Sequence, residues 1–166
     1  MGNFYQDNDD IRFLFRHINL APLAEAIEEG FHFANEFDYA PRSADEAIRN
    51  YEMVLDSLGE LCADFIAPRA EGVDREGNTL NADGSVTRPK GIAEDLEKLA
   101  QAQVMGSTLP YRFHGLNFPS LVYSMANEIL SRADASLMNI FGLQGIAETI
   151  NAFASEEIKQ KYLPLF

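Results

Sequence analysis

The segment from Ser43 to Phe65 most constrains the fold, because it joins a helix start signal to a long apolar stripe. Residues 43–46 read Ser-Ala-Asp-Glu, a capping box in which the Ser hydroxyl and the Glu carboxylate accept hydrogen bonds from free amides at a helix start. Behind the box, apolar residues recur at spacings of three and four: Ala47, Tyr51, Val54, Leu58, Leu61 and Phe65. The segment therefore predicts a long amphipathic helix, which we expect to end at Pro68.

Helical spacing also occurs near the N-terminus, in two short segments. Asp7 or Asn8 can cap the first, whose apolar stripe consists of Ile11, Leu14, Phe15 and Ile18. Pro22 is suited to open the second segment, which we expect to extend to Phe31 with Gly30 as a weak point. Because a short helix pair is unstable alone, we expect residues 1–40 to form an extension packed on a larger body, residues 41–166.

The composition changes to Gly, Asn, Asp, Arg and Pro between positions 69 and 91. Within this stretch the turn signal Asp83-Gly84 separates two short pairs, 79–80 and 86–87, which predicts a small hairpin or an ordered loop. Apolar spacing of three and four returns from Ile92 onwards. The sequence therefore predicts an all-α fold, a helical bundle with a small N-terminal helical extension and a turn-rich loop or hairpin around 70–90.

The stretch from Ala135 to Phe153 is apolar on nearly every face of a predicted helix. Its apolar residues are Leu137, Met138, Ile140, Phe141, Leu143, Ile146 and Ile150. A helix that is apolar all round belongs in the middle of a bundle. Gly142 and Gly145 are costly inside a helix, so we expect close backbone packing or a ligand beside them. Ser155 is predicted to cap a final short helix.

Charge and cysteine content exclude several classes of partner. The chain has 13 Lys and Arg against 26 Asp and Glu, a formal net charge of -13. Such a charge repels nucleic-acid phosphates, so no nucleic-acid partner is predicted. No apolar run approaches the roughly 20 residues of a membrane span. Cys62 is the one cysteine and lies in an apolar run, where we interpret it as a buried hydrophobe. A lone thiol fits a reducing compartment, and we expect a cytoplasmic protein.

Two patterns resemble metal sites, and neither is complete. Glu29 and His32 form an E-x-x-H pair, but a di-iron bundle needs two such pairs and two further glutamates, and the second pair is missing. Oxygen-bearing residues from Asp74 to Ser85 suggest a calcium loop, but the EF-hand positions for Gly and Glu hold other residues. We therefore predict no metal site and a solvated turn at 74–85.

Short motifs in the last third of the chain occur in a familiar order. They are Gly115-Leu116-Asn117-Phe118-Pro119, Asn127-Glu128-Ile129-Leu130, Asp134-Ala135-Ser136-Leu137, Gly142-Leu143-Gln144-Gly145 and the string from Ser155 to Pro164. Together they resemble the N-terminal helical domain of flavin-dependent acyl-CoA dehydrogenases. Further motifs are similar to the subgroup with an extra N-terminal helical extension, which includes enzymes acting on 3-methylthiopropionyl-CoA: Asp10-Ile11-Arg12-Phe13, Asp74-Arg75-Glu76-Gly77 and Pro89-Lys90-Gly91.

The resemblance implies that residues 41–166 are this helical domain, with the middle β-domain and the C-terminal domain absent. It implies FAD as the cofactor of the intact enzyme, an acyl-CoA substrate, an electron-transfer partner and a homo-oligomer. In the family, a glutamate of the C-terminal domain removes the α-proton of the acyl-CoA while the β-hydrogen leaves as hydride to the flavin. We therefore expect these 166 residues to hold no catalytic or flavin-binding residue and to be inactive alone.

Substrate shaping is the role that the resemblance leaves to this chain. The helix that matches 136–144 helps to line the acyl pocket in the family, so we predict that Leu137, Phe141 and Gln144 bind substrate. Phe113 and His114 replace small residues in the loop before Pro119 and are predicted to lie nearby, where they narrow the acyl tunnel or alter the path of the loop. The alternative is that Leu137 and Phe141 are ordinary core residues, as a buried bundle helix requires.

Two other functions remain open from the residues alone. The chain is alternatively a stand-alone helical interaction module, whose apolar surface docks a partner helix or a second copy of itself. A helical metalloprotein is the third hypothesis, and metal analysis of the purified protein would test it.

Overall fold

The longest helix begins where the capping box predicts. The computed structural model describes residues 2–166, and helix α3 runs over Ala44–Leu61. The Ser43 hydroxyl accepts a hydrogen bond from the Glu46 amide at 3.2 Å. The Glu46 carboxylate accepts one from the amide of Arg42, one residue before the usual partner, at 2.8 Å. The helix start is therefore confirmed, with both side chains satisfying free amides.

The predicted helix end at Pro68 is wrong. A π-helical turn, Cys62–Ile66, follows α3 directly and leads into helix α4, Ala67–Glu76. The amide of Ala67 donates to the carbonyl of Cys62, five residues back, so the hydrogen-bond register shifts just before the proline. Pro68 then occupies the first turn of α4, where its missing N–H costs little. The segment before Gly77 is consequently helix rather than the predicted loop.

The predicted hairpin follows α4. Strand β1 spans Thr79–Leu80 and strand β2 spans Val86–Thr87, and they pair antiparallel with Leu80 opposite Val86. Gly84 has a φ of +82°, which glycine adopts without steric cost at a tight turn. Both strands are exposed, so the hairpin lies on the surface and adds nothing to the core.

The core forms around α3 and two later helices. Helix α5 spans Lys90–Gln101 and helix α6 spans Ser120–Ala133, and α3 packs directly against α6. The largest fully buried side chains of this region are Tyr51, Leu55, Leu58, Leu99, Ile129 and Leu130. The all-α prediction is confirmed, because helices supply the core and the hairpin is the one sheet among residues 2–166.

The prediction of one continuous buried helix from Ala135 to Phe153 is wrong. Two short helices occupy the stretch, α7 over Ala135–Gly142 and α8 over Gly145–Phe153. No close packing explains either glycine, because an added Cβ would make ordinary contacts at Gly142 and meet open space at Gly145. Helix α9, Glu156–Tyr162, follows with Ser155 as its cap, as predicted, and a 3₁₀ turn over Leu163–Leu165 ends the chain.

The N-terminal residues share the main core. Helix α1, Asp9–His17, is capped by Asn8, and helix α2 spans Ala21–Ile27. The expectation that α2 reaches Phe31 is wrong, because Glu29, Gly30 and Phe31 all have positive φ and turn the chain away. Five buried residues of this region join the same cluster as α3 and α6: Tyr5, Ile11, Phe15, Leu20 and Ala24. The boundary at residue 40 stays a prediction.

Candidate functional site

Helix α7, the predicted wall of the acyl pocket, separates the core from a surface cavity. Leu137 and Phe141 have no exposed surface and pack inside the main apolar cluster. The opposite side of the helix presents Ser136, Asn139 and Ile140 to a cavity of about 430 Å³ that the residues around the hairpin close. The side of α7 that faces a cavity is thus not the side that carries the two predicted residues.

Gln144 fills the gap between α7 and α8 and holds a neighbouring loop. Its side chain is 6% exposed, and its Oε1 accepts a hydrogen bond from the amide of Gly106. Its Nε2 donates to the sulfur of Met105 at 3.3 Å. Gly106 has a φ of +62° and is buried, so its amide has little access to water. The side-chain oxygen of Gln144 supplies the hydrogen-bond acceptor that this amide needs.

Phe113 and His114 are adjacent in sequence and point to different surroundings. Phe113 ends a 3₁₀ turn, Tyr111–Phe113, and is buried in a small cluster with Leu109, Ala147 and Leu163. His114, with a φ of +65°, is exposed and lines a cavity of about 560 Å³ together with Met105, Leu116 and Phe166. Phe113 therefore packs the loop onto α8, while His114 belongs to a cavity wall.

The five predicted residues therefore meet only in part. His114 and the Met105 side chain that Gln144 holds lie at the same cavity. Leu137 and Phe141 lie in the main core, and Phe113 lies in the small cluster beside α8. Their assignment to substrate binding stays a prediction.

Helix α8 exposes an apolar stripe, contrary to the expectation of a fully buried segment. Leu143, Ile146 and Phe153 are 64%, 54% and 86% exposed. Ile146 and Phe153 are seven residues apart, which places them on one side of α8. Leu143 lies in the junction just before that helix. A row of exposed large apolar side chains is typical of a surface that another protein segment covers.

Two buried carboxylates are functional candidates that the sequence reading missed. Asp95 has no exposed surface and pairs with Arg69 at 2.7 Å, and burial outweighs this ion pair and raises its pKa to about 6. Glu28 also has no exposed surface, and Tyr111 and Asn117 donate hydrogen bonds to it. A signal was present in both cases, because each acid falls on the apolar side of its helix, in the series Leu20, Ala24, Glu28 and Ile92, Asp95, Leu99.

Neither of the two patterns that resemble metal sites, the Glu29 and His32 pair and the turn at 74–85, has the geometry of an ion site. The turn of positive φ at Glu29 removes the E-x-x-H pair from a shared helix. The Nδ1 of His32 lies 3.2 Å from the backbone carbonyl oxygen of Glu29 and 4.0 Å from its carboxylate. Asp83 accepts hydrogen bonds from the amide and hydroxyl of Ser85, as a closed turn does. Within residues 2–166, no three His, Cys, Asp or Glu side chains gather to hold a metal ion.

Cys62 is fully buried at the π-helical turn. Burial, helped by the nearby charge of Asp95, raises the pKa of its thiol to about 12. A thiol of such a pKa holds its proton at neutral pH and is a poor nucleophile, so the interpretation as a small buried hydrophobe is confirmed. None of the helices in the described part of the chain is long and apolar enough to cross a bilayer.

Comparison with known proteins adds a family. A family model described as the acyl-CoA dehydrogenase N-terminal domain matches residues 49–166, from the first turns of α3 to the last residue. The matched part contains Leu137, Phe141, Gln144, Phe113 and His114, and it leaves α1 and α2 outside. No curated protein matches the chain.

Proposed function

The chain belongs to the acyl-CoA dehydrogenase family, and from that premise we propose that it forms the N-terminal helical domain of an enzyme that dehydrogenates an acyl-CoA thioester between its α and β carbons. The family match over residues 49–166 is the observation that carries the proposal. The all-α architecture supports it, since helices supply most of the core among residues 2–166. Its residues shape the acyl end of the site, and the chemistry belongs to other domains.

FAD, the cofactor that the family implies, does not fit the two cavities next to the predicted acyl-pocket residues. A flavin dinucleotide carries an anionic diphosphate, which proteins hold with cationic side chains or free helix amides. The cavity beside His114 is lined by no Lys or Arg. Arg88 is the one cationic residue that lines the cavity beside α7, and the carboxylate of Asp74 lines the same cavity. We therefore assign no residue of 2–166 to the flavin or to the base that removes the α-proton.

Substrate shaping is proposed for the loop and the α7–α8 junction. His114 lines the cavity directly, and Gln144 positions Met105 in its wall. Phe113 fixes the loop that carries His114 by packing against Ala147 of α8. Leu137 and Phe141 act by holding α7 in the core. Their substitution is expected to shift α7 and, through the α7–α8 junction, Gln144 and the Met105 side chain that it holds, rather than to remove a substrate contact.

The experiment uses the enzyme that contains this chain with its flavin-binding and base-bearing domains. Reduction of an artificial electron acceptor is followed with saturated acyl-CoA thioesters of increasing length, including 3-methylthiopropionyl-CoA. His114→Ala is expected to change the ratio of kcat/KM between a short and a long substrate about tenfold, because the wall of a small apolar pocket discriminates chain length by that order. His17→Ala on α1 is the matched control, because His17 is exposed outside the matched region.

Two results would overturn the proposal. The purified enzyme could lack bound flavin, or it could fail to reduce the acceptor with every acyl-CoA tested. An unchanged chain-length preference of the His114→Ala enzyme would contradict only the proposed role of the cavity. The family assignment would stand.

The exposed stripe on α8 also supports a second candidate, an interaction module that docks a partner helix. Phe153→Cys separates the two functions, because Cys62 is buried and the new thiol at an 86% exposed position would be the reactive one. In the enzyme, the further domains are expected to cover the stripe and slow maleimide labelling at least tenfold relative to the isolated chain. Equal labelling of both would favour the interaction module.

The expectations for substrate, electron-transfer partner, assembly and location follow from the family and depend on the same proposal. We propose an acyl-CoA substrate, similar in kind to that of the subgroup with an N-terminal extension, and an electron-transfer partner that reoxidises the enzyme. A homo-oligomer and a cytoplasmic location complete the proposal. Measuring the mass of the intact enzyme in solution tests its assembly.

A further inference from the structure

A cavity outside the predicted acyl site lies between α2, α3 and the loop that carries Tyr111. Its volume is about 320 Å³, the size of a small ligand site. Aromatic rings form much of its wall: Tyr39 and Tyr111 meet edge to face at 5.3 Å, and Tyr51 and Phe118 do so at 4.9 Å. Near-perpendicular rings on several sides resemble the cages that surround organic cations.

The charge of the cavity wall is entirely negative. Glu28, Asp38 and Glu46 line it, and no Lys, Arg or His does. Among residues 2–166 none of these three carboxylates forms a salt bridge. The buried carboxylate of α5 differs in this respect, because Asp95 has Arg69 as its counterion. The cavity thus attracts a cation that the described residues do not supply.

Glu28 is the centre of this negative wall. It has no exposed surface and accepts hydrogen bonds from the Tyr111 hydroxyl at 2.9 and 3.0 Å and from the Asn117 amide at 3.3 Å. The single hydroxyl hydrogen of Tyr111 is shared between two carboxylate oxygens, which leaves further accepting capacity. A buried carboxylate without a cation is costly, and a positive ligand would remove that cost.

Tyr51 provides the second, independent observation. Its side chain is 1% exposed and lines the cavity, and its hydroxyl has no hydrogen-bond partner among residues 2–166. Buried hydroxyls are almost always paired, since leaving one unpaired costs the hydrogen bonds it made in water. A ligand N–H in the cavity would supply the missing partner.

We propose that this cavity binds a small alkylammonium group, whose N–H donates to Glu28 and Tyr51 while the rings of Tyr39, Tyr111 and Phe118 surround its alkyl carbons. An ammonium satisfies the carboxylate, the unpartnered hydroxyl and the aromatic wall together. A quaternary ammonium lacks the N–H, and a neutral alcohol lacks the charge. The inference does not rest on acyl-CoA dehydrogenation, because none of the five predicted acyl-pocket residues lines this cavity, which adjoins the cavity beside His114 at Tyr39 and Leu116.

Titration of the full chain with n-butylammonium, followed by amide NMR shifts, tests the proposal. Saturable shifts are expected at Glu28, Tyr51 and Tyr111, with 1-pentanol, a neutral molecule of similar size, binding at least tenfold more weakly. Tetramethylammonium is expected to bind more weakly than butylammonium, since it cannot donate a hydrogen bond. Pentanol binding as tightly as butylammonium, or no saturable binding of butylammonium, would overturn the proposal.

Tyr51→Phe gives the sharpest variant, because it removes only the unpartnered hydroxyl. The variant is expected to fold at least as stably as the parent and to lose affinity for butylammonium about fivefold or more. Tyr123→Phe is the matched control, because it removes a hydroxyl that donates to the Phe141 carbonyl at 2.8 Å, away from the cavity. It should leave the affinity unchanged, and equal effects of both variants would contradict the site.

Glu28→Gln keeps the shape of the side chain and an oxygen for Tyr111 while removing the charge. Affinity for butylammonium is expected to fall at least tenfold, and unchanged affinity would contradict the role of the carboxylate. The ammonium could come from a free amine or from a lysine side chain of a protein. Nα-acetyl-lysine methylamide distinguishes the sources: tighter binding than butylammonium assigns the site to lysine, and weaker binding assigns it to a free amine.

Discussion

Gly59 shows how a single missing side chain joins the N-terminal segment to α3. An added Cβ at Gly59 would lie 2.6 Å from the amide nitrogen of Tyr5 and 2.8 Å from its Cβ, and it would also clash with the Asn3 side chain. Tyr5 itself is fully buried, and the amide of Phe4 donates to the carbonyl of Gly59 at 3.0 Å. The segment before α1 therefore depends on direct backbone contact with the long helix.

Gly59→Ala is expected to destabilise the chain by about 2 kcal/mol, because overpacking against backbone outweighs the gain in helix propensity. Urea unfolding measures the change. Gly72→Ala in α4 is the matched control, because a Cβ there meets no atom within 4 Å, and it should stabilise by up to about 1 kcal/mol. The stability changes of the two variants need not be equal in size. A Gly59→Ala variant that is more stable than the parent would contradict the close approach of Tyr5 to Gly59.

The buried carboxylates mark what residue patterns could and could not predict. The positions of Glu28 and Asp95 on apolar helix sides were visible in the sequence. Their surroundings were not, because Tyr111 and Asn117 lie 83 and 89 residues away from Glu28 along the chain. A cavity built from contacts of that separation leaves no local pattern, so the ammonium site could not be predicted from spacing.

At the scale of elements, local signals located helix starts well and helix ends poorly. Ser43, Asn8 and Ser155 cap helices as their residue types predict, since the cap acts within three residues. The proline at 68 was misleading, because a π-helical turn placed it at the start of a new helical register. The break at Gly142–Gly145 was also missed, because it depends on Gln144 reaching a loop 38 residues earlier.

Gln144→Leu tests this junction, because leucine has a similar volume and no acceptor. The amide of the buried Gly106 would lose its partner, and we expect a destabilisation of about 1–3 kcal/mol. Chemical unfolding gives the size, and faster hydrogen exchange at Gly106 shows the location. Gln101→Leu is the control, since Gln101 is exposed on α5 and should change stability by less than about 0.5 kcal/mol.

At the scale of the whole molecule, the acidic surface surrounds a core that itself contains acids. The net charge of -13 makes further ionisation unfavourable for the compact state. Asp95 adds to this effect from inside, because burial raises its pKa from 3.8 to about 6 despite the Arg69 ion pair. The nearby charges of Asp134 and Glu94 act in the same direction.

Asp95 is therefore expected to make stability fall as pH rises from about 4 to about 6. The native state holds this proton up to its raised pKa, whereas the unfolded chain releases it near 3.8, so unfolding becomes easier across that window. At about 1.4 kcal/mol for each pKa unit, the loss is roughly 3 kcal/mol at most. Asp95→Asn, which mimics the protonated acid, should flatten this decline and gain stability relative to the parent between pH 4 and pH 7.

Urea unfolding at half-unit steps of pH measures both curves. Asp83→Asn is the control with the opposite sign, because hydrogen bonds from Ser85 lower the pKa of that exposed carboxyl. Its contribution is present above the unfolded pKa and is lost only as pH falls below about 4, so the window from 4 to 6 should stay unchanged. Parallel stability curves of the parent and the Asp95→Asn variant across that window would show that Arg69 compensates the buried charge of Asp95 fully. The two buried acids would then differ, because the protein itself would neutralise Asp95, whereas Glu28 would depend on a ligand.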